Sequence, residues 1–177
     1  MSKKSKQDWL DIGLKVLGRE GLPGLTIQGM AKEMDLTKGS FYHHFENIKD
    51  FEQRLLEHWA NQYFSTSDRI PDTPTKRLLL LDRLMEETFS PITEPEVAIR
   101  MWAAHDSRAR TLVERVDTQR RQFLVETFSN LIPDEERTQL MTDMLFTITI
   151  GSMTVLPRIP PERVLALYRE FKRLYKI

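Results

Sequence analysis

TIQGMAKEMDLTKGSFYHHF, residues 26–45, is the stretch that decides the fold of this chain. Its first half carries apolar residues at the i, i+3, i+4, i+7 spacing of one helix face, at Ile27, Met30, Ala31 and Met34. Thr26 is a good cap for this helix, and Thr37 for a second one, where Leu36 and Phe41 have the spacing of a hydrophobic staple. Two short helices joined so tightly need a third helix to bury their apolar sides, so the pattern predicts a helix-turn-helix.

The second helix, predicted at about residues 37–45, presents a polar face. Phe41 and Phe45 stand at i, i+4 and face inward, so Gly39, Ser40, Tyr42 and His43 point mostly outward. Lys38 lies in the first turn, where the helix dipole and free N–H groups favour an anion such as phosphate. We expect this helix to enter the major groove of double-stranded DNA.

Residues 25–31, 36–45 and 47–51 resemble the DNA-binding signature of TetR-type transcriptional regulators. The resemblance covers about the first third of the chain and implies an all-α homodimer, usually a repressor that a small molecule releases from DNA. At the matched positions it implies DNA contacts by Thr26, Gln28, Thr37, Lys38, Gly39, Ser40, Tyr42, His43 and His44.

Two positions depart from that signature. The turn carries Asp35 where the family usually has Gly, and Asp tolerates a left-handed conformation better than most residues do. Ile48 stands where a Lys commonly follows Asn47, and Lys49 lies about 100 degrees further round the next helix. Lys49 is therefore the candidate for the phosphate contact from that helix.

Composition is that of an ordinary globular protein, with 177 residues of which 40% are hydrophobic. Cysteine is absent, which excludes disulfides and thiol nucleophiles and is compatible with the cytoplasm that we expect. The most apolar run, residues 144–156, is too short to span a membrane, and we expect neither a membrane segment nor a secretory signal. Residues 1–50 carry eight basic and seven acidic side chains, so a net charge of +1 predicts few phosphate contacts per subunit.

The basic N-terminal segment has two interpretations. Lys3, Lys4 and Lys6 form either an arm that lies on DNA phosphates or a solvated tail.

A breaker stretch, STSDRIPDTP at residues 65–74, predicts the domain boundary. We expect a DNA-binding domain at 1–64, whose connecting helix starts at about residue 47, and a ligand-binding and dimerisation domain at 65–177. Helical patterns separated by prolines continue to the end of the chain. The predicted fold class is all-α, with about nine helices.

The resemblance also implies a pocket for a small apolar or amphipathic ligand. Mostly apolar walls with a few polar groups suit such a site. The candidate residues on the middle helices are Trp59, Met85, Phe89, Met101, Trp102 and His105. The alternative is that these residues belong to the hydrophobic core.

The last two predicted helices carry more apolar surface than one packing partner needs. A two-fold four-helix bundle with a second subunit would bury the excess. The candidate interface residues are Met144, Ile148, Gly151, Val164, Tyr168 and Phe171. The alternative is that other helices of the same chain cover them.

Catalytic and metal-binding motifs are absent from the sequence. It contains no nucleophile elbow, P-loop, dinucleotide turn or HExxH, and His43 and His44 point about 100 degrees apart on a helix. We therefore expect no enzyme activity, no catalytic residues, no metal and no cofactor. A helix-turn-helix regulator without a small ligand, whose second domain serves dimerisation or a protein partner, is the second hypothesis, and an all-helical enzyme is the third.

Overall fold

The computed structural model describes residues 4–67, 71–88 and 94–177, and it is all-α as the sequence predicts. Within these residues there are nine α-helices and one short 3-10 turn at Leu22–Gly24. The helices are α1 (Lys6–Glu20), α2 (Ile27–Glu33), α3 (Lys38–Tyr42), α4 (Ile48–Ser67), α5 (Pro74–Thr88), α6 (Glu94–Ala103), α7 (Ser107–Phe128), α8 (Glu135–Thr154) and α9 (Pro161–Tyr175).

The helices form two compact units. The first consists of Met1–Phe64 and Glu94–Arg115, and the second of Ser65–Thr93 and Val116–Ile177. The chain thus passes between units after Phe64, at the start of the predicted breaker stretch. Residues 94–115 belong to the first unit, where α6 packs against α1. The functional division into a DNA-binding domain and a regulatory domain stays a prediction.

The first unit is built on α1 and α4. A capping box starts α1, because Ser5 accepts the N–H of Asp8 and the Asp8 carboxylate accepts the N–H of Ser5. A Cβ added to Gly13 on α1 would lie 2.6 Å from Cζ of Phe51 on α4, so this glycine permits close helix packing. Fully buried aromatic rings, including Trp9 and Phe41, fill the space beside these helices.

The helix-turn-helix forms between these supports. The hydroxyl of Thr26 accepts the N–H of Gly29 at 3.1 Å and caps α2, as predicted. Asp35 in the turn has a φ of 54°, the left-handed conformation that its side chain tolerates. Asn47 then caps α4, since its Oδ1 accepts the N–H groups of Lys49 and Asp50 at 2.9 and 3.0 Å.

The recognition helix is shorter than the predicted 37–45. Regular α3 runs from Lys38 to Tyr42, and beyond it the N–H of His44 donates to the carbonyl of Phe41, a tighter three-residue turn. Phe45 is nonetheless buried at 2% exposure, so both phenylalanines face inward as the spacing indicates. The predicted outward face is therefore formed by a short helix followed by a turn.

In the second unit α9 is attached to α5. The Tyr168 hydroxyl and the Lys172 ammonium group both donate to the Asp82 carboxylate, each at 2.7 Å. Burial, with the Asp82 contact, raises the pKa of the Tyr168 phenol.

One part of the sequence prediction for this unit needs correction. Val164, Tyr168 and Phe171 are 1%, 4% and 3% exposed in the single chain, so they are core residues and are not available to a second subunit. The apolar stripe of α9 that they form faces the chain's own core.

Within the described ranges, no helix is both long enough and apolar enough to cross a membrane.

Candidate nucleic-acid interface

The outward face of α3 is open to solvent. Thr37, Lys38, Gly39 and His43 are exposed, Ser40 is half-buried, and 57% of Tyr42 is exposed although its ring touches that of Phe41. The core side of the same helix holds Phe41. The apolar side of α3 is therefore buried in the fold, and its polar side is exposed to solvent.

The two capping threonines differ in what their hydroxyl groups do. The Thr26 hydroxyl is occupied by a backbone N–H of α2. Thr37 occupies the N-cap position of α3, but its side chain accepts no capping hydrogen bond, so the predicted cap by this hydroxyl is wrong. An exposed hydroxyl without a bond of its own remains at the start of the recognition helix.

Gly39 has no steric role inside the chain. A Cβ added there would lie 3.6 Å from the Thr37 hydroxyl oxygen, an ordinary contact, and no positive φ requires glycine. Gly29 on α2 differs, because a Cβ there would lie 2.8 Å from the Thr26 hydroxyl oxygen. Since glycine is unfavourable in a helix, its presence at position 39 points to a requirement outside the folded chain.

Between α2 and α3 lies an open cleft of about 360 Å³, lined by Gln28, Ala31, Lys32, Asp35, Leu36 and Lys38. Gln28, a predicted DNA contact, therefore shares a surface with Lys38. Lys32 was missed by the sequence analysis, although the i, i+4 spacing from Gln28 could have indicated it. The Asp35 carboxylate is the one acidic group in the lining.

Arginines and lysines of the first unit have different environments. Arg19 pairs with Glu33 at 2.7 Å and lowers the pKa of that carboxyl, and Arg54 pairs with Asp50 at 2.8 Å. In the part of the first unit that the structure describes, six lysines have no carboxylate within 4.0 Å; they are Lys4, Lys6, Lys15, Lys32, Lys38 and Lys49. Much of the acidic charge is thus neutralised by arginines, and the lysines remain available to phosphates although the net charge is small.

The three remaining predicted contacts lie at the C-terminal end of α3 and the start of α4. His43 is exposed, and its ring packs edge-on against that of His44 at 5.1 Å between centroids. His44 is half-buried, and its Nε2 lies 3.2 Å from the backbone carbonyl oxygen of Lys4. Lys49 is exposed. No local sequence pattern indicates the contact between residues 44 and 4.

The predicted ligand residues have different environments. Trp59 and Trp102 are buried in the first unit, where Met101 is 63% exposed and His105 is exposed, whereas Met85 is buried in the second unit. Phe89 lies outside the described residues. A second open cleft, of about 450 Å³, is lined by Asp82, Glu86, Leu165, Tyr168, Arg169, Lys172, Arg173 and Ile177. None of the six predicted residues lines either cleft, and the ligand pocket stays a prediction.

Exposed apolar residues do form a stripe on α8. Met144 is 43% exposed, and Ile148 and Gly151 are partly exposed. Leu140 and Val155, which were not among the predicted interface residues, extend the stripe at 56% and 41% exposure. A Cβ added to Gly151 would meet nothing within 4 Å, so the surface beside it is open.

Comparisons with known proteins agree with this geometry. The sequence profile described as "Bacterial regulatory proteins, tetR family" matches residues 10–52, which include every predicted DNA contact. The HTH-type transcriptional repressor KstR2 of Mycolicibacterium smegmatis is 22% identical over 147 residues, covering 80% of this chain and 72% of that protein.

Solved structures share the fold over nearly the whole chain. A transcriptional regulator from Aquifex aeolicus has a TM-score of 0.73 at 14% identity, covering 96% of this chain and 98% of that one. The ketosteroid transcriptional regulator KstR2 of Mycobacterium tuberculosis has a TM-score of 0.69 at 19% identity, covering 97% and 94%. The profile match, the relative and the shared fold confirm the resemblance to TetR-type transcriptional regulators that was read from the sequence.

Proposed function

We propose that this chain is a cytoplasmic homodimeric repressor that reads an operator with α3 and α2. The observation that carries the proposal is the outward face of α3, which is exposed, polar and built around a glycine that folding does not require. Lys38, Ser40 and Thr37 anchor phosphates, while Gln28, Tyr42 and His43 reach base edges or a thymine methyl group. The relatives support repression, since one of them is named a transcriptional repressor.

The DNA contacts are tested by two substitutions that separate phosphate contacts from base contacts. Lys38→Ala is expected to weaken binding to all sequences and to lower the salt slope by about 1 per subunit, because one phosphate contact is lost. Tyr42→Ala is expected to change the preferred sequence while the salt slope stays constant. Binding is measured by fluorescence anisotropy on operator and scrambled duplexes between 50 and about 200 mM salt.

The matched control is Lys76→Ala, an exposed lysine on α5. It is expected to leave both the salt slope and the sequence preference unchanged. If Lys38→Ala and Tyr42→Ala behave like this control, α3 is not the DNA-reading element.

The homodimer rests on the exposed stripe of α8. Leu140, Met144, Ile148 and Gly151 follow one another at steps of four, four and three residues, which is one face of α8, and Val155 is the exposed residue that follows its last turn. Two copies of this face, related by a two-fold axis, would bury the apolar side chains, and Gly151 would let the backbones approach closely. A dimer also places two recognition helices on one operator, which compensates for the few phosphate contacts of each subunit.

Met144→Glu tests this interface by placing a charge in the centre of the stripe. The variant is expected to sediment as a monomer at a concentration where the wild type is a dimer, because an unpaired charge is costly to bury. Leu79→Glu is the matched control, since Leu79 on α5 is 62% exposed and lies outside the stripe. If Met144→Glu remains a dimer and Leu79→Glu does not, the interface does not lie on α8.

Release by a small apolar or amphipathic ligand is the further part of the proposal. Its support is the family resemblance and the continuity of α4, which runs unbroken from Ile48 to Ser67 directly after the recognition helix. A displacement of α4 would therefore move α3, and a ligand that binds better to the displaced state would weaken DNA binding.

The second candidate, a regulator without a small ligand, is favoured by the placement of the predicted pocket residues. Two are core tryptophans and two are exposed, and neither cleft contains them. A panel of apolar and amphipathic compounds distinguishes the candidates. The panel includes ketosteroids, because one structurally similar protein is described as a ketosteroid transcriptional regulator. A ligand at about 100 times its Kd raises the free energy of unfolding by about 2.7 kcal/mol and releases DNA, whereas absence of both effects across the panel supports the second candidate.

A further inference from the structure

The N-terminal segment is attached to the C-terminal end of the recognition helix. His44 Nε2 lies 3.2 Å from the backbone carbonyl oxygen of Lys4, across 40 residues of sequence. A carbonyl only accepts hydrogen bonds, so Nε2 carries the proton and donates it. This bond connects Lys4, which precedes the N-cap of α1, to the turn that follows α3.

Two neighbouring contacts fix the same segment. The Lys6 ammonium group lies 5.3 Å from the centroid of the Phe45 ring, within the range of a cation–π contact. Ser5, between the two lysines, is the N-cap of α1 and is bonded to Asp8 in both directions. Residues 4–6 are therefore held from both sides, by α1 and by the residues after α3.

The Lys4 side chain differs from that of Lys6, because it is open to solvent. Lys4 is exposed and forms no ion pair within the described chain. The nearest acid in sequence, Asp8, is engaged by the backbone N–H and the hydroxyl of Ser5, and these bonds, with a smaller contribution from the Lys4 charge, lower the pKa of its carboxyl. The backbone of this exposed lysine is therefore held at the end of the recognition helix.

From these contacts we infer that Lys4 is a phosphate contact of the DNA interface and that His44 is the residue that positions it, an inference that rests on the proposed function. The interface then extends beyond α2 and α3 to the N-terminus of α1. His44 acts through the Lys4 backbone, not by its own contact with DNA. The segment that sequence alone left open between an arm and a solvated tail is an ordered part of the interface at Lys4.

The first test is the salt dependence of DNA binding by the full chain. Lys4→Ala is expected to lower the salt slope by about 2 per dimer, one contact per subunit, and to raise the Kd about 30-fold at 0.15 M salt. The loss is equal on an operator selected from a random duplex library and on a scrambled duplex, because phosphates carry no sequence information. Lys76→Ala is the matched control and leaves the slope unchanged.

The role of His44 is tested by a double-mutant cycle. His44→Ala is expected to weaken binding about 3- to 10-fold in the wild-type background and to have no effect in the Lys4→Ala background, since the two residues act through one contact. His44→Gln restores binding, because a glutamine amide donates to the same carbonyl. Thermal unfolding of each variant verifies that the fold is intact.

Three outcomes overturn the inference. If Lys4→Ala leaves the salt slope unchanged, Lys4 does not contact a phosphate. If the losses of affinity in the two single variants add up in the double variant, His44 contacts DNA independently of Lys4. A change in the base preference selected by His44→Ala would likewise show that His44 contacts DNA directly. Failure of the proposed function is distinguishable, because a wild-type chain that does not discriminate the selected operator from the scrambled duplex fails before any Lys4 variant is compared.

Discussion

Gly39→Ala is expected to stabilise the protein and to weaken its DNA binding. Gly39 is in the first turn of α3 with ordinary backbone angles, and an added Cβ would meet only the Thr37 hydroxyl oxygen at 3.6 Å. Alanine is better than glycine in a helix by about 0.5–1 kcal/mol, and the first turn favours the lower end. For a chain of this size the melting temperature should rise by about 1–4 °C.

The same methyl group would project from the face that we assign to DNA. If the backbone at position 39 approaches a phosphate, the methyl group costs at least one charge-assisted hydrogen bond, about 1.5–3 kcal/mol per subunit. The Kd for operator DNA should therefore rise at least 10-fold, which corresponds to about 1.4 kcal/mol. Anisotropy titrations and thermal unfolding of one preparation give both quantities.

Gly13→Ala is the matched substitution with the opposite expectation. Its Cβ would lie 2.6 Å from Cζ of the buried Phe51, so the variant should lose stability although Gly13 is buried on α1 and is not part of the outward face of α3. The reasoning is refuted if Gly39→Ala binds the operator as tightly as the wild type, or if it destabilises the protein as Gly13→Ala does.

Three further predictions follow from single residues. Asp35→Gly should stabilise by about 0.5–1 kcal/mol, because φ is 54° there, and should tighten DNA binding by removing a carboxylate beside Lys38; a lower melting temperature or weaker binding would contradict this. The Arg108 guanidinium holds the pKa of Asp106 well below its ordinary 3.8, so this carboxylate stabilises the fold at neutral pH, and the contribution begins to decrease as pH falls below about 4. Urea unfolding should accordingly show Asp106→Asn less stable by about 1 kcal/mol at pH 7, with a gap to the wild type that narrows progressively below pH 4, whereas a gap that widens with acid would contradict the pairing. Gly151→Ala should raise monomer stability by up to about 1 kcal/mol and weaken the dimer in sedimentation equilibrium, and an unchanged dimer would place Gly151 outside the interface.

Local sequence patterns were sufficient to predict the helix-turn-helix. The spacing of Phe41 and Phe45 predicted which side of α3 is buried, and the left-handed turn at Asp35 was expected from its side chain. These features depend on residues within a few positions of one another, which is the range over which helix periodicity and capping operate.

Long-range packing determined what the sequence analysis missed. The stripe formed by Val164, Tyr168 and Phe171 is apolar whether its partner is a second subunit or the same chain, and periodicity does not distinguish the two. The bond between His44 and Lys4 joins residues far apart in sequence, so no spacing rule indicates it. The end of α3 depended on the turn after Tyr42, where the Phe41 carbonyl accepts the N–H groups of both His44 and Phe45.

Selection of bound duplexes from a random DNA library, carried out in parallel with the wild type and Tyr42→Ala, tests the assignment of α3 most directly. We expect the wild type to enrich a sequence with two similar half-sites in inverted orientation, about one helical turn or a multiple apart. Tyr42→Ala should change the preferred base at the same position in each half-site. Enrichment of an identical sequence by both proteins, or of none by the wild type, would contradict the claim that this face reads DNA.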